Sequence, residues 1–157
     1  MKTKRGLRDL SLGMKKVLVF IFIALSFQAV WAGNSILSLY ITGNSVIAEV
    51  ANTPQARQQG LMHRKHLGAN RGMLFVFPEP GLHAMWMKDT SLPLSIAFLD
   101  ERGVIINIAD MTPFSEEPHY ASAPAKFALE MPTGWFTKRG IHSGMKVDGL
   151  SPAPPGQ

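Results

Sequence analysis

The chain contains no cysteine. Disulfides, thiol nucleophiles, thiolate metal sites and the lipid-modified cysteine of a bacterial lipoprotein are therefore excluded. Also missing are an H-E-x-x-H zinc motif, a phosphate-cradling Gly-rich loop, a dinucleotide fingerprint and a G-x-S-x-G nucleophile elbow. Ser143 follows His142, but neighbouring side chains diverge, and a nucleophile needs its base within hydrogen-bond reach. Long apolar runs are scarce too. The one extended stretch, Val17–Leu25, is too short to cross a bilayer comfortably.

That stretch instead reads as an address. Lys2, Lys4, Arg5, Arg8, Lys15 and Lys16 precede it, and the small-residue pattern Val30-Trp31-Ala32 follows. A basic region, a short apolar core and a small residue at the end make a secretory signal peptide over residues 1–32, with cleavage after Ala32. The alternative is an uncleaved segment anchoring the protein in the inner membrane. Export places the protein in the periplasm or outside the cell, and its membrane contact then ends with the signal.

Removing the signal also removes the apparent basicity. Six of the 16 basic and one of the 11 acidic side chains lie before residue 33, which leaves ten of each. A nucleic-acid partner is not expected of a charge-balanced chain. No cofactor is implied. The expected partner is a small molecule or an envelope protein.

Residues 33–150 read as one domain, and Ser151–Gln157 as a disordered Pro-rich tail. Strands are expected at Ile36–Ile41 and Val46–Ala51, around a Gly43-Asn44 hairpin signal. Thr53-Pro54 starts a short helix through Gln55–Met62, weakened by Gly60. Met73–Phe77 is apolar at every position, as a strand covered on both faces is. His83–Lys88 alternates, and Leu94, Ile96 and Phe98 point one way, which predicts a β-meander over 73–98. Val104–Ile108, Lys126–Met131 and Met145–Val147 are further strands, Thr112–Ser122 a polar loop and Gly134–Gly140 a second short helix. The fold class is α+β and predominantly β: one compact meander or barrel-like domain with one or two short helices.

Several segments resemble a known family. They are "GLMHRKHL" (Gly60–Leu67), "GMLFVF" (Gly72–Phe77), "WMKDTSLPL" (Trp86–Leu94), the "DERG" turn (Asp100–Gly103) and "FALEMPTGWFTKRGIHSGMKV" (Phe127–Val147). Together they resemble the bacterial and archaeal family called domain of unknown function 192, across about residues 46–148. The resemblance implies a compact β-rich α+β domain, often exported, with no settled biochemical activity. The family pattern has Asn and Asp where this chain has Asp89 and Ser95.

Three groups of residues are candidates for chemistry. Arg64, Lys88, Asp89, Thr90 and Glu130 form a candidate ligand-binding set, because polar groups at strand ends are where binding tends to occur. The plainer reading is an internal ion pair and turn-closing hydrogen bonds. His83, Met85 and Met87, alternating on one strand face, have the imidazole and thioether chemistry of a Cu(I) site, against the plainer reading of methionine as core filler. Asp89 and Glu130 are the pair a small hydrolase would use. Trp86, Trp135 and Phe136 are candidates for an aromatic contact surface, with core packing favoured for Trp86 and both roles open for Trp135. The function that follows is a periplasmic, non-catalytic binding or accessory domain. A hydrolase and a Cu(I) handler are the alternatives.

Overall fold

The architecture is a computed structural model that describes residues 35–157, so the expected signal at 1–32 lies outside the described residues. Strands β1 (Ile36–Ile41) and β2 (Asn44–Ala51) form a hairpin. Thr42 and Gly43 turn it, both with positive φ (47° and 81°), which matches the right-handed twist of the strands it joins. Helix α1 (Pro54–Gln59) follows, with Pro54 in its first turn and the Thr53 side chain accepting a hydrogen bond from the Ala56 N–H at 3.1 Å. It carries the chain across to β3 (Arg71–Gly81), which pairs parallel with β2.

The long strand β3 is buried from Gly72 to Phe77 because both of its faces are covered. Its pairing with β8 (Ala125–Pro132) runs to Val76↔Phe127 and resumes only at Gly81↔Ala125, beyond Pro78 and Pro80. Strand β5 (Leu94–Leu99) lies on the other side of β8, and β6 (Ile105–Met111) completes the sheet in the order β1-β2-β3-β8-β5-β6.

The strands are therefore not in meander order. Strand β8, late in the chain, slots between β3 and β5 and offers each an antiparallel apolar ladder. The expected middle strand shrinks to β4 (Ala84–Met85), paired with β7 (His119–Tyr120) in a separate small sheet.

Residues 144–148 close the sheet. The Ile105 N–H donates to Met145 O at 2.8 Å and the Val147 N–H to Gly103 O at 2.9 Å, while Tyr40 and Asp148 exchange backbone bonds of 3.0 and 2.9 Å. Both edges thus meet one short segment at single bridges, Tyr40–Asp148 and Val104–Lys146, giving the barrel-like form. Leu39, Val46, Leu74, Val76, Leu129 and Met131 fill the interior, and Trp135, Phe136 and Ile141 pack into the same cluster around a 3-10 turn at Thr137–Arg139. A second apolar cluster covers the outside of β3, β8 and β5, built on Met73, Phe75, Met87, Ile96 and Phe98.

The Pro-rich tail is held, contrary to expectation. Asn52 Nδ2 donates to Pro155 O at 3.0 Å, the Gln157 N–H to Asn52 O at 2.8 Å, and Arg57 to Gln157 O at 2.6 Å. Ala153 packs against the interior cluster, so the tail has apolar surface to cover after all.

Candidate functional site

Along β8 the side chains alternate, with Leu129 and Met131 turned into the barrel and Glu130 turned outward. Glu130 sits opposite Met73 of β3 and Ile96 of β5, within the second apolar cluster, and is only 3% exposed. Its carboxyl group takes no part in the hydrogen bonds and ion pairs of the described residues, and because no sealed side-chain oxygen there lacks a partner, its oxygens border the open space beside β8. Burial alone pushes its pKa from 4.5 up to about 8, because the charged form has lost water and gained no partner. At neutral pH the side chain is a neutral acid that can donate a hydrogen bond.

Glu130 lines a cavity of about 230 Å³. One wall is the end of α1 and its following turn, Arg57–Met62; another is the outward face of β3, Phe75 and Phe77. Ala84, Met85, Trp86 and Thr90 complete it. Ala84–Trp86 also border a second hollow with Glu116 and Pro118. The Arg57 guanidinium is already committed, donating to Asn52 O (2.8 Å), Val76 O (3.0 Å) and Gln157 O (2.6 Å). Thr90 is committed as well. Its hydroxyl donates to Lys88 O at 3.0 Å, its N–H to Met87 O at 3.1 Å, and its carbonyl accepts from the Phe114 N–H at 3.0 Å. Glu130 is thus the polar group in the lining with unused capacity at depth.

The turns that adjoin Met62 and Thr90 are strained. His63, Asp89 and Phe114 have φ of 62°, 51° and 61°, in the left-handed region that non-glycine residues seldom adopt. Their three loops are tied together: the His63 N–H donates to Asp89 O at 2.9 Å, Phe114 bonds Thr90, and the Met87 N–H donates to Ser115 O at 2.9 Å. Such strain persists only where the surroundings enforce it, and it clusters at functional sites.

The five residues of the expected ligand set are not brought together. Thr90 and Glu130 share the cavity. Arg64 makes a bidentate ion pair with Glu49, at 3.0 and 2.6 Å, so its charge is spent elsewhere. Lys88 is exposed, with its ammonium 5.7 Å from the Trp86 ring centre. Asp89 lies on the exposed strained turn and does not line the cavity, which leaves Glu130 without the second carboxylate a hydrolase pair requires.

The three residues of the expected Cu(I) set also diverge. His83 stacks on Phe77 with centroids 3.6 Å apart, and its Nε2 lies 2.9 Å from Glu79 O. Met85 borders the cavity, whereas Met87 is buried in the outer cluster. Their alternation assumed a strand through Lys88, but the strand ends at Met85. Among the described residues no cluster of three or more His, Asp or Glu is placed to hold a metal ion.

The tryptophans divide between the two roles. Trp135 is buried, its indole N–H donating to Asn70 Oδ1 at 3.0 Å, with the Arg139 guanidinium 4.3 Å over its ring. Phe136 is buried beside it. Trp86, expected in the core, is 47% exposed, because it lies beyond the strand that would have carried it inward. The cavity walls from Arg57, Met62, Phe75 and Phe77 were not singled out by sequence. Their one signal was Glu130 itself, an acid in the middle of the apolar "FALEM" strand. At position 95, Ser95 donates to Asp110 across the β5–β6 ladder and accepts the Gly134 N–H at 2.9 Å, so a neighbouring strand supplies a carboxylate beside it.

Comparison with known proteins agrees with this fold. A family model, DUF192, described as "Uncharacterized ACR", matches residues 37–149. A crystal structure from Sinorhizobium meliloti 1021, of a protein named as a candidate transcription regulator, superposes with a TM-score of 0.72 at 31% identity, covering 75% of this chain and 96% of that one. A protein of unknown function from Novosphingobium aromaticivorans DSM 12444 gives 0.67 at 31% identity, over 73% of this chain and 84% of that one. No curated protein matches the chain.

Proposed function

The chain belongs to the DUF192 family, and from that premise we propose that it is an exported, non-catalytic domain that binds a small molecule in the cavity above Glu130. The observation that carries this reading is the unpartnered carboxyl on the cavity wall. A ligand that covers this carboxyl must hydrogen-bond it, since sealing it in unsatisfied would cost on the order of 1–3 kcal/mol. The lining has the character of a ligand site, an apolar aromatic wall with a polar group placed within it. The strained, mutually bonded loops beside Thr90 support a rim held in shape before the ligand arrives.

Export is supported by the basic and apolar pattern of residues 2–25 and the small residue Ala32. The regulator name of the Sinorhizobium protein is not carried over, because beyond residue 32 ten basic and ten acidic side chains balance.

The test is an NMR screen of the full chain against a library of small neutral, cationic and anionic fragments. Binders should perturb the amides of Gly60, Phe75, Thr90 and Glu130 together. Ala84→Phe, which puts a ring into the mouth from an exposed position, should abolish those shifts. Binding that clusters elsewhere, or that survives Ala84→Phe, would overturn the reading.

A further inference from the structure

We propose that the ligand is a compact organic cation, an ammonium or small amine, whose charge meets Glu130 while its alkyl part lies against Phe75, Phe77 and Trp86. This rests on the reading of the cavity as a ligand site and adds the chemical class.

Three observations converge on it. First, the carboxyl faces the cavity with no described cation beside it. The one basic side chain in the lining, Arg57, is held by three backbone carbonyls, and burial is the sole influence acting on the acid. A buried carboxylate is tolerated when an opposite charge accompanies it, so the group best suited to the vacant capacity is positive. An anion would meet the acid once it ionises, with Thr90 spending its own hydroxyl on Lys88 O and the exposed Gln58 and Gln59 offering only neutral donors.

Second, the walls suit a cation. Aromatic faces attract ammonium and guanidinium groups, and Trp86 already draws the Lys88 ammonium to 5.7 Å. Glu116 lines the neighbouring hollow that shares Ala84–Trp86 with the cavity, and it adds negative charge there. Third, about 230 Å³ falls short of the roughly 300–1,000 Å³ of sites for drug-sized molecules, which selects a compact ligand.

Binding then moves a proton. The free acid releases its proton to solvent as the cation enters, and the carboxylate–cation pair remains. The charged groups around this event are Arg57 in the lining, Lys88 over Trp86, and Glu116 in the neighbouring hollow. With the Glu130 pKa near 8 in the free protein, cation affinity rises with pH up to about 8 and levels off above it.

Calorimetric titration of the full chain with choline and its uncharged isostere 3,3-dimethylbutan-1-ol, at pH 6 and pH 9, tests this. Choline should bind up to about a hundredfold tighter at pH 9. The alcohol should bind at least about tenfold more weakly than choline at pH 9, with no pH dependence. Glu130→Gln should remove the pH dependence and cut the preference to what the aromatic walls supply. Should that variant fold poorly, Trp86→Leu at its exposed position should still weaken choline and spare the alcohol. Equal binding of choline and alcohol, both lost in Ala84→Phe, would overturn the cation class and leave the cavity standing as a site. Silence from both ligands at both pH values would also overturn the cation class, and the fragment screen then decides the cavity separately.

Discussion

Leu129 and Met131 look into the barrel, and Glu130 between them looks out. The same three strands, β3, β8 and β5, therefore serve two apolar layers of different character. The interior is packed with aliphatic and aromatic side chains and closed by residues 144–148, and the buried Ser95 on that face is bonded to Asp110 and the Gly134 N–H. The outer layer is roofed by loops, holds a buried acid beside a cavity, and is bordered by backbone in the left-handed region. A layer closed by hydrogen-bonded strand edges keeps its few polar groups paired. A layer closed by loops leaves gaps, and there a polar group can face a ligand. On the proposed reading, stability is concentrated on one side of the sheet and binding on the other.

Three substitutions would break or sharpen that contrast. The largest effect belongs to the interior. Phe136→Ala should cost about 3–5 kcal/mol in chemical denaturation, since the ring is 1% exposed and a closed barrel collapses poorly onto a cavity. Ligand affinity at the outer cavity should survive wherever the variant still folds, and a matching loss of affinity would erase the distinction between the layers.

Next comes the pH response of Glu130. Its folded pKa of about 8 lies above its ordinary 4.5, so between those values the folded protein holds a proton that the unfolded chain releases. Stability should thus be highest below pH 4.5 as far as this group is concerned, fall by roughly 1.4 kcal/mol per pH unit as pH rises toward 8, and level off above. Denaturation midpoints from pH 5 to 9 should show this slope in the native chain and a flatter one in Glu130→Gln. Equal slopes would mean the acid is not buried as described.

The smallest effect is expected at the rim. Phe114 is 65% exposed with φ of 61°, so Phe114→Gly loses little packing and relieves backbone strain. It should raise the thermal midpoint slightly, by the equivalent of ~1 kcal/mol or less, while loosening the loop that bonds Thr90. A fall in stability of more than ~1 kcal/mol would show that the ring packs after all.

Much of the fold was legible because it follows from local rules. The alternation of Leu94, Ile96 and Phe98, the doubly apolar Met73–Phe77, the Thr53-Pro54 helix start and the 3-10 turn within Gly134–Gly140 each depend on neighbours a few residues away. The meander was misread because strand order depends on distant partners. Nothing within 73–98 announces that Ala125–Pro132 will enter between β3 and β5. The same reason explains the site. Thr90 and Glu130 were singled out by residue type, but Arg64 found Glu49 and His83 found Phe77, partners that local spacing does not reveal.

The sequence by itself determined a cysteine-free, charge-balanced, β-rich domain of this family, because composition, period and motif are properties of the chain read along its length. Tertiary structure alone decided that Glu130 would lose its water beside a cavity and gain no partner. That outcome depends on which side of β8 the loops cover, and it arises when segments about forty to seventy residues apart in the chain, including Arg57–Met62 and Ala84–Trp86, converge over one strand.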